Sequence, residues 1–348
     1  MDNENRMIAF LKRCVLFPLQ VFAWLIAAGL LMAACTAYSD KPEVRHFIDK
    51  MVQQHHFDRQ QLKQLLDTVR PNPMIIRLMN KPAESFTWPR YRKIFISEYR
   101  ARKGALFWKK HQQTLAYAEK RYGVPAAIIV AILGVETRYG EITGKYRILD
   151  ALSTLAFQPG GRRAAFFQSE LEQFLLLSRD NQAINAHKTK GSYAGAMGQG
   201  QFMPSSYRRF AVDATHKGYS DLLNNPNDAI LSVAHYLQAY GWSRGEPVIV
   251  PARAPTAIKQ LPGKNASLKQ FARCGIYPQT TSLANDLKAN WVALPLENHQ
   301  QEYWLGFHNF QVIMHYNTST LYAMAVYQLS QEIQHYYQKE SLYHAVKA

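Results

Sequence analysis

The chain has 348 residues, 41 Lys and Arg against 25 Asp and Glu, a formal net charge of +16, and 47% hydrophobic residues. Such apolar content excludes a disordered chain and is ample for one large or two to three small domains. The charge favours an anionic partner, but the chain has no Walker loop, zinc-finger spacing or basic helix with heptads, so nucleic acid falls behind a membrane surface or an acidic polymer.

Lys12 and Arg13 precede a mostly apolar run from Val15 to Ala34 that ends Leu31-Met32-Ala33-Ala34-Cys35, the pattern of an export signal over residues 1–35. The run is also long enough to span a bilayer, so a retained anchor stands as the alternative. The Ala-Ala-Cys ending resembles the bacterial lipoprotein signal, with Met32 where Leu is more usual, and this resemblance implies lipidation of Cys35. Because Thr36 rather than Asp follows, the expected place is the periplasmic side of the outer membrane in a Gram-negative source, inner-membrane anchoring being the alternative. Either way the protein is tethered to a membrane. Cys14 leaves with a cleaved signal, and Cys274, between Arg273 and Gly275, is then a structural thiol with no internal disulfide partner.

From Pro42 to about Lys81 the spacing predicts a helical hairpin. Val44, Phe47, Ile48 and Met51 recur at helical spacing, His55-His56-Phe57 make a turn, and Asp58 caps a second helix carrying Leu62, Leu65, Leu66 and Val69. Adjacent histidines point apart and no Cys or acidic cluster accompanies them, so His55 and His56 are surface residues, not metal ligands. Lys81 to Pro89 has linker composition. Tyr91 to Lys110 is a basic, aromatic-rich helical stretch, and Trp88, Tyr91, Phe95, Tyr99 and Trp108 either pack a core or stack on sugars.

The most informative stretch is Tyr122 to Gly140. Pro125 suits a first helical position, Gly140 supplies a stop, and the uncharged run from Ala126 to Val135 predicts a helix wrapped on every face. One carboxylate, Glu136, sits at its end. Lost hydration and the helix C-terminal dipole both raise its pKa, the condition for a general acid in glycosidic-bond cleavage. The plainer alternative is a solvated acid paired with Arg138. A loop and a helix follow, then a long amphipathic helix from about Ala164 to Arg179 and a glycine-rich stretch, Lys190 to Tyr207, whose small residues let backbone approach a ligand closely.

Four motifs then carry a resemblance. Gly134-Val-Glu-Thr-Arg-Tyr-Gly140, Ser192 to Tyr207 (SYAGAMGQGQFMPSSY), Ala234-His-Tyr-Leu-Gln-Ala-Tyr-Gly-Trp242 and His315-Tyr-Asn-Thr-Ser-Thr-Leu-Tyr-Ala-Met-Ala-Val326 resemble, in this order, the membrane-bound lytic murein transglycosylase B family, from about Val44 to Gln331. The resemblance implies a mainly α protein: a goose-lysozyme-like helical core with an N-terminal helical domain and a small inserted β-containing domain. The corresponding boundaries are an N-terminal helical domain at 36–110, the core at 111–242 and 305–348, and the insert at 243–304. Within the insert Glu246–Val250 and Trp291–Leu296 read as strands, with Pro251, Pro255, Pro262 and Gly263 breaking the chain between them. Tyr322 to Tyr336 returns as a helix to close the core.

The activity implied is non-hydrolytic cleavage of the β-1,4 bond between N-acetylmuramic acid and N-acetylglucosamine in peptidoglycan, leaving a 1,6-anhydro ring. One residue serves first as acid and then as base, so the usual glycosidase carboxylate pair is unnecessary. No second carboxylate is recognisable: Glu141 reads as a surface loop charge and Asp150 as a helix N-cap. By the same resemblance Glu136 is the acid/base, Ser192 and Gln201 hold the sugar and its acetamide, Tyr236, Tyr316, Asn317 and Tyr322 shape the groove or hold the glutamate, and Met197 packs under a sugar. The partners implied are peptidoglycan strands and the membrane, with a cell-wall synthesis complex left open. A hydrolytic muramidase and an inactive peptidoglycan-binding scaffold remain as alternatives.

Family members can carry an EF-hand-like calcium loop after the glycine-rich motif, here Asp213 to Asp221 continuing to Asn227 and Asp228. Gly218 keeps the sharp-turn position, but Lys217 stands where an acidic or amide oxygen is wanted. No tight calcium site and no cofactor are expected.

Overall fold

The computed structural model describes residues 37–80, 86–255, 258, 260–280 and 282–347; Cys35 and the rest of the export segment lie outside them. Two compact units divide the chain between Val69 and Arg70. In the first, α1 (Pro42–His55) and α2 (Arg59–Asp67) form the expected hairpin. His56 turns the chain in the left-handed region at φ 57°, and the Asp58 carboxylate accepts the Gln61 N–H at 2.7 Å as an N-cap. Val44, Phe47, Ile48 and Met51 bury against Leu62, Leu66 and Val69. His56 is exposed and His55 half-buried.

The second unit begins with α3 (Pro73–Asn80), α4 (Trp88–Phe95), α5 (Glu98–Lys110) and α6 (Gln112–Tyr122). The stretch read as one helix from Tyr91 is thus two, because Ile96 is extended and the Ser97 hydroxyl starts α5 by accepting the Arg100 N–H. Pro89, taken from the sequence as linker, lies in the first turn of α4, where a missing N–H costs nothing. Helix α5 packs against the central helix, and the division into two units falls after Val69.

That central helix is α7 (Ala126–Thr137), buried at every position from Ala126 to Val135. Pro125 occupies its N-cap position rather than the first helical one. It is followed by β1 (Tyr146–Arg147), α8 (Ile148–Ala156), α9 (Ala164–Asp180), β2 (Lys190–Gly191), α10 (Pro204–Phe210) and α11 (Pro226–Ala239). Burying side chains such as Ile128, Ile129, Ile132 and Leu133 stabilises the fold by about 1.5–3 kcal/mol each, so α7 must be wrapped. Helices α5, α6 and α11 pack on it, as does α14 of the closing segment, α13 (His308–Tyr316) and α14 (Thr320–Lys347).

The insert holds β3 (Ile249–Arg253), β4 (Ala266–Ser267), α12 (Leu268–Arg273), β5 (Tyr277–Pro278), β6 (Lys288–Pro295) and β7 (Gln301–Gly306). Its antiparallel sheet has the order β4-β6-β7-β3-β5, with Trp291 opposite Leu305 and Val250 opposite the same residue on the other side. Phe271, Ile276, Ala289, Leu305 and Phe307 form a separate small core, against which Cys274 packs half-buried. Pro251 does not break the chain: it pairs with Trp304 inside β3, and its carbonyl accepts the Gln279 N–H at 2.8 Å. Among the described residues no helix is long and apolar enough to cross a membrane.

Candidate active site

The site is built where α7 stops. Arg138 and Tyr139 both take left-handed conformations, φ 53° and 64°, and their N–H groups close on the carbonyls of Gly134 and Leu133. The chain therefore turns back sharply after Glu136 and Thr137. The Tyr139 ring folds onto α7 and α5 against Gly134 and Gly104: a Cβ at either would come within 2.6 Å of its hydroxyl oxygen. That hydroxyl donates to the Arg100 carbonyl at 2.8 Å. Absent side chains at two positions thus make the slot that seats the turn.

Glu136 stays half-buried in the last turn while all its α7 neighbours are buried. Its Oε1 accepts a 2.6 Å hydrogen bond from the Tyr322 hydroxyl on α14, the carboxylate's one hydrogen-bond partner among the described residues. Desolvation pushes its pKa from 4.5 up to about 7, opposed only by the Tyr322 hydrogen bond, which favours the charged form. The alternative pairing with Arg138 is not what the chain adopts, since the left-handed turn leaves Arg138 exposed.

The glycine-rich stretch is tied to this corner from several directions. Thr137 Oγ1 donates to the Gln199 carbonyl at 2.7 Å and accepts the Gly140 N–H at 2.9 Å. Gln201, left-handed at φ 51°, sends its amide nitrogen to the carbonyls of Thr143 and Gly198 at 3.0 and 2.9 Å. Ser192 Oγ accepts the N–H groups of Ala194 and Ala196. Met197 is fully buried, its backbone paired with Phe202 and Gly191. From α13, the Tyr316 hydroxyl donates to the Gly200 carbonyl at 2.6 Å. Tyr236 on α11 donates to the His315 carbonyl at 2.7 Å, its ring 4.8 Å from that of Tyr316 and 5.7 Å from that of Phe202. Asn317 is exposed, and its Oδ1 accepts the Ser319 N–H.

Of the residues singled out from sequence, Glu136 and Tyr322 are in direct contact, and Tyr316 is close enough that Glu136 acts on it electrostatically; burial first, then this negative charge, holds both tyrosines well above the usual phenol range. Tyr236 and Tyr316 hold backbone from mutually packed rings. One member of the group escaped the sequence reading. Tyr91, on α4, is pushed up to about 12 by burial and by the charge of Glu136. It had been placed among aromatics that pack or stack; its ring does lie 4.9 Å from Phe95, and no local signal reports that it faces a glutamate 45 positions on. Neither Glu141 nor Asp150 supplies a second catalytic carboxylate. Glu141 pairs with Lys103, and Asp150 is not an N-cap but binds the Arg147 guanidinium and the Arg70 N–H from the first turn of α8.

A half-buried, poorly solvated carboxyl in a helical core, beside a glycine-rich stretch, has the protonation a general acid needs, and similarity to known proteins places this arrangement among glycan-cleaving, lysozyme-like enzymes. The chain belongs to the transglycosylase SLT domain family, whose model matches residues 39–331. It is 44% identical over 312 residues to the membrane-bound lytic murein transglycosylase B of Escherichia coli, covering 85% of this chain and 84% of that one. Among solved structures, the Escherichia coli lytic transglycosylase SLT35 in complex with calcium is similar with a TM-score of 0.79 at 44% identity, covering 86% of this chain and 95% of that one. The soluble lytic transglycosylase SltB1 of Pseudomonas aeruginosa has a TM-score of 0.77 at 44% identity, covering 84% and 98%.

Proposed function

We propose that this peptidoglycan lytic transglycosylase works through Glu136 alone as acid and base. The neutral carboxyl protonates the oxygen linking N-acetylmuramic acid to N-acetylglucosamine, and the N-acetylglucosamine leaves with that proton as its new hydroxyl. The C6 hydroxyl of the muramoyl sugar then closes on C1, and Glu136 takes the proton released. The product is a 1,6-anhydro ring, no water is consumed, and the carboxyl ends as it began. Since Oε1 is held by Tyr322, Oε2 is the oxygen that carries the proton.

The observation that carries this reading is the half-buried carboxyl set among tyrosines and apolar side chains rather than beside a second acid, a setting whose desolvation pushes its pKa up to about 7. Substrate roles follow from what the other side chains leave unused. Gln201 commits its amide nitrogen to two carbonyls, so its Oε1 is free to accept an acetamide N–H. Ser192 accepts two N–H groups, so its hydroxyl hydrogen is free to donate to a sugar. Asn317, accepting at Oδ1, offers its Nδ2 hydrogens at the groove edge. Met197 supports the loop from beneath. Lipidation at Cys35 would hold the enzyme on the periplasmic side of the outer membrane, supported by the Ala33-Ala34-Cys35 ending and by a relative that is membrane-bound by name.

Glu136→Gln tests the assignment. Acid/base assistance contributes about a hundredfold to ten-thousandfold, and both halves of the reaction lose it, so release of anhydro-muropeptides from sacculi falls toward the top of that range with folding intact. Near wild-type release would overturn it. The mass of wild-type products separates this chemistry from hydrolysis, which adds one water.

A further inference from the structure

The segment after α10 matches the first nine positions of a calcium loop except at position five, while position twelve is Asn224 rather than the usual glutamate. Counting from Asp213, an EF-hand draws oxygens from positions one, three, five, seven and nine, with glycine at six. These positions hold Asp213, Thr215, Lys217, Tyr219 and Asp221, with Gly218 at the turn, φ 93°. The acidic group that closes the loop from outside is Asp228, fully buried in the first turn of α11. Its carboxylate accepts the N–H groups of Ala214 and Asp221 at 3.0 and 2.6 Å and the Asn225 amide at 2.7 Å. Asp213 accepts the N–H groups of Thr215 and Gly218 at 3.2 and 2.8 Å.

Lys217 does not point away from Asp228. Its ammonium nitrogen lies 3.8 Å from Asp228 Oδ2 and 4.6 Å from the centre of the Tyr219 ring, and its side chain is 31% exposed. A cation thus stands at the side of Asp228 that faces the loop, offered by the residue that in a calcium loop would donate an oxygen. A divalent ion does not fit these residues: it would lose one ligand and meet a positive charge next to another.

We infer that the Lys217 ammonium takes the place of a bound calcium ion, so that this loop is closed by its own side chain and needs no metal. The geometry gives the replacement a task. The Leu222 carbonyl accepts the Gln199 N–H at 2.9 Å, and Gln199 in turn holds Thr137 beside Glu136, so the loop backs the glycine-rich stretch of the active site. The calcium-containing SLT35 structure, similar over most of the chain, shows that a relative carries the ion. Here the same fold is expected to be indifferent to it.

The test measures melting temperature of the mature full-length chain in chelator and in millimolar calcium, for wild type, Lys217→Asp and Lys217→Asn. The wild type should melt alike in both. Lys217→Asp should melt below wild type in chelator, because four carboxylates, counting Asp228, then crowd one site, and should rise by about 4 °C or more when calcium exceeds its Kd a hundredfold. Lys217→Asn, with an amide oxygen and no added charge, should show a smaller rise. A wild type stabilised by calcium would overturn the inference, as would folded variants that both ignore calcium. If neither variant folds, titration calorimetry of the wild type decides: micromolar calcium binding refutes the replacement, and absence of binding upholds it.

Discussion

Glu136→Gln should separate the two consequences of a buried acid, because the change that removes turnover should also stabilise the protein above neutral pH. In the unfolded chain the carboxyl titrates near its ordinary value of 4.5, and in the folded chain near 7. Between those values the folded state binds the proton that the unfolded state has lost, so stability falls as pH rises through this window and is constant beyond it. The difference corresponds to about 3 kcal/mol. Glutamine does not ionise and still offers an oxygen to Tyr322 at the place of Oε1. Wild type and variant should therefore melt together below about pH 4.5 and diverge until about pH 7, where the variant should lead by about 5 °C. Melting curves at half-unit pH intervals measure this directly. A melting difference that is flat from acid to mild base would refute the reasoning, since the carboxyl would then titrate alike in both states and could not be the neutral acid the chemistry requires.

Tyr322→Phe removes the one contact that favours the ionised carboxylate, so the basic limb of the pH–rate profile should move to higher pH; a limb unchanged or moved to lower pH would sever the link between this hydroxyl and the acid. Cys35→Ser should abolish palmitate labelling and disturb signal processing, and unchanged labelling would reject the lipid tether. Because the chain carries +16 and peptidoglycan bears lactyl and peptide carboxylates, cleavage of whole sacculi should fall with added salt more steeply than cleavage of short soluble fragments, and equal sensitivity would count against electrostatic steering.

What was legible in the sequence is what local periodicity encodes. The uniform apolar run of α7, the Asp58 cap and the hairpin of α1 and α2 follow from residues close together in the chain, and they lie where that pattern puts them. Strand β7 was missed because Gln301–Gly306 mixes polar and aromatic residues without clean alternation, and helix α12 because Leu268–Arg273 is under two turns. The contact between Glu136 and Tyr322 spans 186 positions and was reachable only through the resemblance, which carried Tyr322 as a groove residue. Tyr91 had no motif to carry it. Asp150 shows the opposite failure: its place near a helix start suggested an N-cap, whereas its real partners, Arg147 and Arg70, include one from 80 positions away.

The stop signal of α7 explains why catalytic placement and helix burial are one problem in this chain. A helix that is apolar on every face has no exposed side on which a carboxyl could sit, so the acid must come at an end, and that end must be turned out of the core at once. Gly140 looked sufficient from sequence, yet the turn is made two residues earlier by Arg138 and Tyr139, non-glycine residues in left-handed geometry at about 1–2 kcal/mol each. Four hydrogen bonds and a seated ring offset that strain: the two backbone bonds to Gly134 and Leu133, the Thr137 bond to the Gly140 N–H, the Tyr139 hydroxyl's bond to the Arg100 carbonyl, and the Tyr139 ring between Gly104 and Gly134. A stop at Gly140 with no earlier reversal would continue the helix past Thr137, take the Gly140 N–H off the Thr137 hydroxyl and lift the Tyr139 ring out of its slot between Gly104 and Gly134. The same reversal exposes Arg138, the cation that would otherwise compete for the carboxylate and pull its pKa down. Glu136 thus keeps its proton near neutral pH because its carboxyl is desolvated, while the chain's exit from the helix at Arg138 and Tyr139 leaves Arg138 exposed.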